Sequence, residues 1–266
     1  MFKAKKSLGQ NFLKSKSALS SILKAGSIRS TDTIIEVGPG KGVLTEGLVE
    51  QAGKVIAIEK DDRLIEFLKE KFPAEISSGK FEIIHQDILN IKMSDIGSRT
   101  KSYKLIANIP YYITGQLIRK FLESEHQPEL MVLMLQKEVA KRIVARDGKE
   151  SILSLSVKAY GNPKYIETVP ARYFSPAPKV DSAILLIENI SKKTFTENTI
   201  SEEHFFKVVK TGLAHKRKVL IKNLVEVFSK KNVHAAFEKS TIDLKVRGED
   251  LTLYQWIRIA EYLVGK

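Results

Sequence analysis

The run Thr33-Ile34-Ile35-Glu36-Val37 passes without a break into Gly38-Pro39-Gly40-Lys41-Gly42, and Val43, Leu44 and Leu48 then recur at helical spacing. A short apolar strand, a glycine turn and a helix in that order point to an α/β fold, in which the strand is buried in a parallel sheet and the helix packs on it. The same unit cradles nucleotide-like cofactors, because glycines admit a close backbone approach and the helix N-terminus faces the ligand. A second apolar strand, Lys54 to Ile58, leads to Glu59. That residue lies about twenty positions beyond the glycines, where a doubly wound sheet places an acid for ribose hydroxyls. The nicotinamide fingerprint is G-x-G-x-x-G or A, whereas this turn reads G-x-G-x-G with Val43 and Leu44 following. The spacing favours S-adenosylmethionine over a dinucleotide, and no hydride-transfer constellation supports a dehydrogenase.

A third strand, Phe81 to His85, is followed by Gln86-Asp87. A carboxylate there can accept a hydrogen bond from an adenine amine, or simply cap a turn. His85 has no partner acid at a recognisable spacing and is assigned no role. The fourth strand begins at Leu105 and breaks at Pro110, so Asn108, Ile109, Pro110 and Tyr111 fall at its carboxyl end, where open α/β sheets bind ligands. An exocyclic adenine amine is a poor nucleophile because its lone pair is delocalised into the ring. An Asn oxygen and a backbone carbonyl freed from the ladder beside a proline can accept both amine hydrogens. An adjacent Tyr can stack on the base. No His, Lys or carboxylate lies within Asn108 to Tyr112, so the motif offers no general base. Taken alone, this string also fits a polar strand end and a proline turn.

Before these elements, a basic start leads through Gly9, a bend that folds the arm back, to Gln10-Asn11-Phe12-Leu13 and a helix from Ser17 to Ala25. After them, Thr114 caps a helix through Phe121, and Leu130 to Leu135 reads as a central fifth strand. A helix opening at Gln136-Lys137-Glu138 carries Lys141, Arg142 and Arg146. Ile152 to Ala159 fits either helix or strand, whereas Tyr165 to Val169 and Ser182 to Ile187 read as closing strands. Between those two lies Phe174-Ser175-Pro176-Ala177-Pro178-Lys179-Val180-Asp181-Ser182, whose prolines stiffen a loop presenting one aromatic ring. The polar stretch from Glu188 to Asn198 marks the boundary between a domain over 1–190 and a helical one over 191–266, the latter interrupted by the basic knot Lys216, Arg217 and Lys218.

Lys and Arg number 44 against 31 Asp and Glu, a net charge of +13, which favours a polyanionic partner. Nucleic acid is the commonest such partner, although each basic cluster by itself also fits a solvated face. With no cysteine, disulfides, thiolate nucleophiles and Cys-ligated zinc are excluded, and no metal site is expected. The basic start is not followed by an apolar segment of signal-peptide type, and the apolar runs are too short to span a bilayer, so a cytoplasmic protein is expected.

Jointly and in order, Leu8-Gly9-Gln10-Asn11-Phe12-Leu13, Glu36-Val37-Gly38-Pro39-Gly40, Glu59, Gln86-Asp87, Asn108-Ile109-Pro110-Tyr111 and the Phe174 loop resemble the ribosomal RNA adenine N6-dimethyltransferase family. The resemblance is closest to the type that modifies two adjacent adenines near the 3′ end of small-subunit rRNA. It implies a Rossmann-like methyltransferase sheet with a smaller C-terminal helical domain. It also implies an S-adenosylmethionine site lined by Asn11, Leu13, Gly38, Glu59, Asp87 and Asn108, with Tyr111 and Phe174 sandwiching the target base. The implied partner is rRNA in an assembling 30S particle, met by a monomer. Ile109 departs from the Leu more usual in the family and is shared with large-subunit methylases of macrolide resistance. The Phe-x-Pro-x-Pro-Lys-Val-Asp-Ser loop and Arg247-Gly248-Glu249-Asp250-Leu251-Thr252-Leu253 side with the small-subunit type. A noncatalytic assembly factor on the same fold is the alternative from another class.

Overall fold

In the computed structural model, which describes Lys5 and residues 8–263, seven strands form one sheet and two more form a short ribbon. In chain order they are β1 (Phe12–Leu13), β2 (Thr33–Val37), β3 (Lys54–Glu59), β4 (Phe81–His85), β5 (Lys104–Asn108), β6 (Met131–Gln136), β7 (Asn162–Val169), β8 (Phe174–Ser175) and β9 (Ser182–Glu188). The large sheet has the order β4-β3-β2-β5-β6-β9-β7, parallel from β4 to β6, with β9 inserted antiparallel between β6 and β7. The chain works outward from β2 to β4 and then crosses back to β5, so the order reverses between β2 and β5. The crevice at their carboxyl ends is where such a sheet takes its ligand.

Strands buried on both faces must be apolar throughout, and Ile34, Ile35, Val55, Ile56, Leu105, Ile106, Val132 and Leu133 are all buried. The helices are α1 (Lys16–Gly26), α2 (Val43–Gln51), α3 (Asp62–Lys71), α4 (Pro73–Ser77), α5 (Met93–Gly97), α6 (Thr114–Leu122), α7 (Lys137–Val144), α8 (Ile152–Lys158), α9 (Lys193–Glu197), α10 (Glu202–Gly212), α11 (Leu220–Leu224), α12 (Lys230–Lys239) and α13 (Leu253–Tyr262). Several begin where a short polar side chain takes up an orphan N–H: Ser15 for α1, Asp61 for α3, Ser151 for α8 and Thr252 for α13. Ser151 and Ser154 complete a reciprocal capping box, and this settles the ambiguous Ile152 segment as a helix.

One cation lies inside the sheet. Lys104 is 6% exposed, and its ammonium donates to the Gly26 and Ser27 carbonyls at 3.2 and 2.8 Å and to Asp32 Oδ2 at 2.7 Å. It thereby takes up carbonyls left unpaired at the end of α1 and ties that helix to the turn before β2.

The chain divides into two compact units, Met1–Ala140 with Asn162–Ile190, and Lys141–Gly161 with Ser191–Lys266. The expected first domain over 1–190 is therefore interrupted, because 141–161 belongs to the helical unit. Its physical reason is aromatic packing: the Tyr160 ring lies 5.2 Å from Phe195 and 6.1 Å from Phe206, and its hydroxyl donates to Glu202. Glu150 N also donates to the Glu249 carbonyl at 2.7 Å, and Lys149 pairs with the Glu249 carboxylate at 2.7 Å. The unit is centred on Trp256, which is fully buried. A Cβ at Gly212 would fall 2.4 Å from that ring, so only glycine lets α10 approach it.

Candidate active site

Gly38 and Gly40 have φ of 68° and 58°, a left-handed backbone that L side chains rarely adopt. Their turn leaves the end of β2 and runs beside the end of β5, so a Cβ on Gly38 would sit 4.0 Å from the Asn108 carbonyl and from Pro110. Around this cradle lies a cavity with about 1050 Å³ of empty space, its solvent-open mouth included. Asn11, Leu13, Gly38, Glu59, Asp87, Asn108, Ile109, Pro110, Tyr111 and Phe174 all line it, so sequence positions from 11 to 174 converge on one site within the first unit.

Glu59 closes β3 and is 7% exposed. Its Oε1 accepts from Lys60 N and Asp61 N at 2.8 and 2.9 Å, and its Oε2 from Gly40 N at 3.3 Å. Burial raises its pKa against these three donors, and the carboxylate retains lone-pair capacity for further donors. Asp87 caps a turn and also lines the cavity. Its Oδ1 accepts from Leu89 N at 3.0 Å in a turn, its Oδ2 pairs with Lys60 Nζ at 2.7 Å, and the residue lines the cavity. Burial works against ionisation there, but the Lys60 ammonium and the Leu89 N–H outweigh it and lower the pKa.

At the end of β5, Asn108 Nδ2 donates to the Asn11 carbonyl at 3.4 Å. Neither Asn108 Oδ1 nor the Ile109 carbonyl accepts a hydrogen bond from the described residues. Two acceptors are thus left side by side in the cavity wall, as the proline break suggests. Tyr111 is half-buried and its hydroxyl lies 2.7 Å from Ser182 Oγ. Phe174 is 3% exposed, because β8 pairs with β1 and sets Phe174 opposite Leu13. The expected loop-borne ring is therefore a packed wall of the cavity rather than an exposed platform. His85, opposite Glu59 on the strand pair, is exposed and does not line the cavity.

Several residues of the site are given no role of their own in the sequence reading. Glu36, the one charged residue in the apolar run of β2, is 1% exposed and lines the cavity. Thr45 Oγ1 donates to its Oε2 at 2.7 Å, whereas Oε1 has no partner among the described residues. Burial, with the neighbouring charge of Glu59, pushes its pKa up to about 8. A charge inside an otherwise apolar strand is the available signal. The N-terminal arm is held by Asp61, whose carboxylate accepts from Gln10 Nε2 at 2.9 Å, Lys5 Nζ at 3.2 Å and the Arg63 guanidinium. Lys3 and Lys6 of the basic start lie outside the described residues.

The cavity fits S-adenosylmethionine by its donor set. Three carboxyl groups, Glu36, Glu59 and Asp87, suit a ligand bearing positive charge and ribose hydroxyls, and the glycines of the turn let its backbone come close to the ligand. No group of three or more His, Cys, Asp or Glu among the described residues could hold a metal ion.

The basic clusters lie elsewhere. Lys141, Arg142 and Arg146 belong to the same helical unit as Lys216, Arg217 and Lys218. Arg142 and residues 214–218 are exposed, and Lys218 pairs with Glu226 at 3.2 Å.

A seven-stranded sheet with its last strand inserted antiparallel, and a glycine turn facing an Asn-Ile-Pro-Tyr strand end, define an S-adenosylmethionine-dependent methyltransferase. The sequence model of the family described as ribosomal RNA adenine dimethylase matches residues 1–264, and the chain belongs to that family. It is 46% identical over 256 residues to a ribosomal RNA small subunit methyltransferase A of Dehalococcoides mccartyi, spanning 96% of this chain and 86% of the relative. A protein of the same name from Fusobacterium nucleatum is 36% identical and covers 100% of this chain and 99% of its own. Among solved structures, a dimethyladenosine transferase from Plasmodium falciparum superposes with a TM-score of 0.80 at 25% identity, covering 93% of this chain and 95% of that one. The 23S rRNA methyltransferase ErmE shares the fold at a TM-score of 0.75 and 24% identity, over 95% and 99% of the two chains.

Proposed function

We propose that this chain transfers methyl groups from S-adenosylmethionine to N6 of two adjacent adenines near the 3′ end of 16S rRNA, giving N6,N6-dimethyladenines in an assembling 30S particle. The observation that carries this is the pair of unengaged acceptors, Asn108 Oδ1 and the Ile109 carbonyl, beside Tyr111 and Phe174 in one cavity. Small-subunit rather than large-subunit rRNA is favoured by the names of the relatives at 36–46% identity, which align with nearly the whole of this chain.

Glu59 holds the ribose, Asp87 and the Gly38 turn hold the adenosine, and Asn11 and Leu13 complete the site. When bound, S-adenosylmethionine supplies a methyl group already activated by its sulfonium. The Asn108 oxygen and the Ile109 carbonyl accept the two amine hydrogens and direct the nitrogen lone pair, while Tyr111 and Phe174 stack on the ring of an unpaired or flipped adenine. Once the nitrogen is alkylated its proton is acidic enough to leave to water, and neither His85 nor any base in the motif is called on. A monomethyl product re-enters by giving up one acceptor interaction. Lys141, Arg142, Arg146, Lys216, Arg217 and Lys218 hold rRNA phosphates, so affinity comes from the helical unit and selection from RNA shape and unstacked bases.

Primer extension across both ribosomal RNAs, after incubation with unmethylated subunits and labelled cofactor, tests this reading. Two adjacent stops near the 16S 3′ end are expected. A stop in 23S rRNA would move the protein to the large-subunit class, and binding without label would make it an assembly factor.

A further inference from the structure

Two consecutive residues, Asp181 and Ser182, touch both sides of the base pocket without lining it. Ser182 opens β9 and is fully buried, and its hydroxyl lies 2.7 Å from that of Tyr111. This is the one side-chain hydrogen bond the Tyr111 hydroxyl makes among the described residues. A ring held only by apolar contact can swing about its first side-chain torsion, whereas one pinned at its far end by a buried partner keeps its place. Asp181 binds a different segment. Its Oδ1 accepts from Ala171 N at 3.1 Å, in the 3-10 turn Ala171–Tyr173 that runs directly into Phe174. Its Oδ2 takes Lys137 Nζ at 3.4 Å and its carbonyl takes Lys137 N at 3.0 Å, which fixes the dipeptide to the start of α7.

We infer that Asp181-Ser182 is the positioning element of the base pocket: Ser182 fixes where the Tyr111 ring lies and Asp181 sets the turn that delivers Phe174, so one dipeptide tethers both stacking walls. The inference rests on the reading of Tyr111 and Phe174 as those walls. Tyr111 is the contact residue, and Ser182 acts through it. Local pKa shifts agree with a neutral hydroxyl pair, since burial and the Asp181 charge both raise Tyr111.

The test is a double-mutant cycle on the full-length protein, reading single-turnover methylation at saturating cofactor and subunits. Tyr111→Phe and Ser182→Ala should each slow the step by roughly 3- to 10-fold, in line with one hydrogen bond of about 1 kcal/mol, and the double variant should be no slower than the worse single. Cofactor affinity by calorimetry and subunit affinity should be unchanged in all three, and the melting temperature should fall by no more than a few degrees, as loss of one buried hydrogen bond requires. Additive effects would overturn the inference, as would a Tyr111→Phe enzyme at full rate beside a slow Ser182→Ala one. A Ser182→Ala variant that also loses cofactor affinity, or that melts far below Tyr111→Phe, would likewise overturn it, leaving Ser182 a packing residue. Tyr111→Ala separates the two levels: full activity in that variant would remove the stacking role of Tyr111 itself, whatever the cycle gives.

Discussion

Asn108 Nδ2 reaches the Asn11 carbonyl at 3.4 Å across 97 residues of chain, so the amide that ends β5 is oriented by the N-terminal arm. Its donating end is occupied and its accepting end is offered to the cavity. Asn108→Ala removes both, and turnover should fall by about 100-fold or more, as happens at other sites on deletion of one preorganised polar group. Subunit binding, assigned in the proposed function to the basic helical unit, should stay within about twofold, inside the ±0.5 kcal/mol or so of a change remote from the binding surface. Single-turnover rates set beside filter binding check this, and parallel loss of both would mean the site is needed for docking.

Glu36 makes stability depend on pH. Its folded pKa of about 8 lies above the ordinary value of 4.5, so the unfolded chain gives up the proton first as pH rises. The ligand-free protein is therefore most favoured with Glu36 protonated, and it loses stability progressively from about pH 4.5, the loss being complete above about 8, by a few kcal/mol. Glu36→Gln should flatten that decline, and urea midpoints at pH 6 and 9 report it. A positively charged ligand favours the ionised acid, so cofactor affinity should rise over the same range in the native chain and not in the variant. Equal pH slopes in both proteins would show that Glu36 does not titrate there.

Lys104→Met should destabilise the first unit by about 3 kcal/mol, because it strands Asp32 and two carbonyls in a largely buried place. Asp32→Asn should cost less, since the ammonium keeps its two carbonyl partners. Denaturant midpoints rank the two, and the reverse order would mean that the ion pair outweighs the helix cap.

Charge removal on the helical unit should flatten the salt dependence of subunit binding. Neutralising Lys216 and Arg217 should lower the log-log slope by roughly 0.7 to 0.9 for each phosphate left without its cation. Lys218, already paired with Glu226 at 3.2 Å, should contribute less than either. A slope unchanged by the double variant would make the knot an ordinary solvated face.

What is legible in the sequence is whatever depends on neighbours along the chain. Strands β2 and β4 occupy the expected residues, and α1 differs by one residue at each end, because apolar runs and caps are local signals. The glycine turn, Glu59 and the Asn108 stretch are readable for the same reason: each is a compact string whose chemistry is carried by residue type. Segment 141–161 departs from its expected domain because its allegiance is decided by Tyr160 meeting Phe195 and Phe206, a contact with no sequence period. Phe174 reads as part of a loop because a two-residue strand gives no alternation, and its burial follows from pairing with Leu13. Hydroxyl tethers such as Ser182 to Tyr111 are equally silent, since a buried serine in a strand looks like any other.

The pairing of Leu13 with Phe174 also orders events in time. It closes a loop on the order of 160 residues, so a chain emerging amino end first exposes its glycine turn and its Asn108 strand long before the segment that pairs with Leu13 is made. During synthesis the pocket is assembled with one side open, and its last wall arrives with the final strands of the first unit. A nascent chain released before residue 174 should fold much of the parallel sheet, yet hold cofactor far more weakly than the finished protein. Stalled chains of increasing length, assayed for labelled cofactor, should gain it in a single step just after β9 has left the tunnel. A gain already present once β5 and β6 have emerged would mean that the Phe174 segment is dispensable for retention. On this view catalytic competence is a late-born property, acquired as synthesis of the enzyme nears its end.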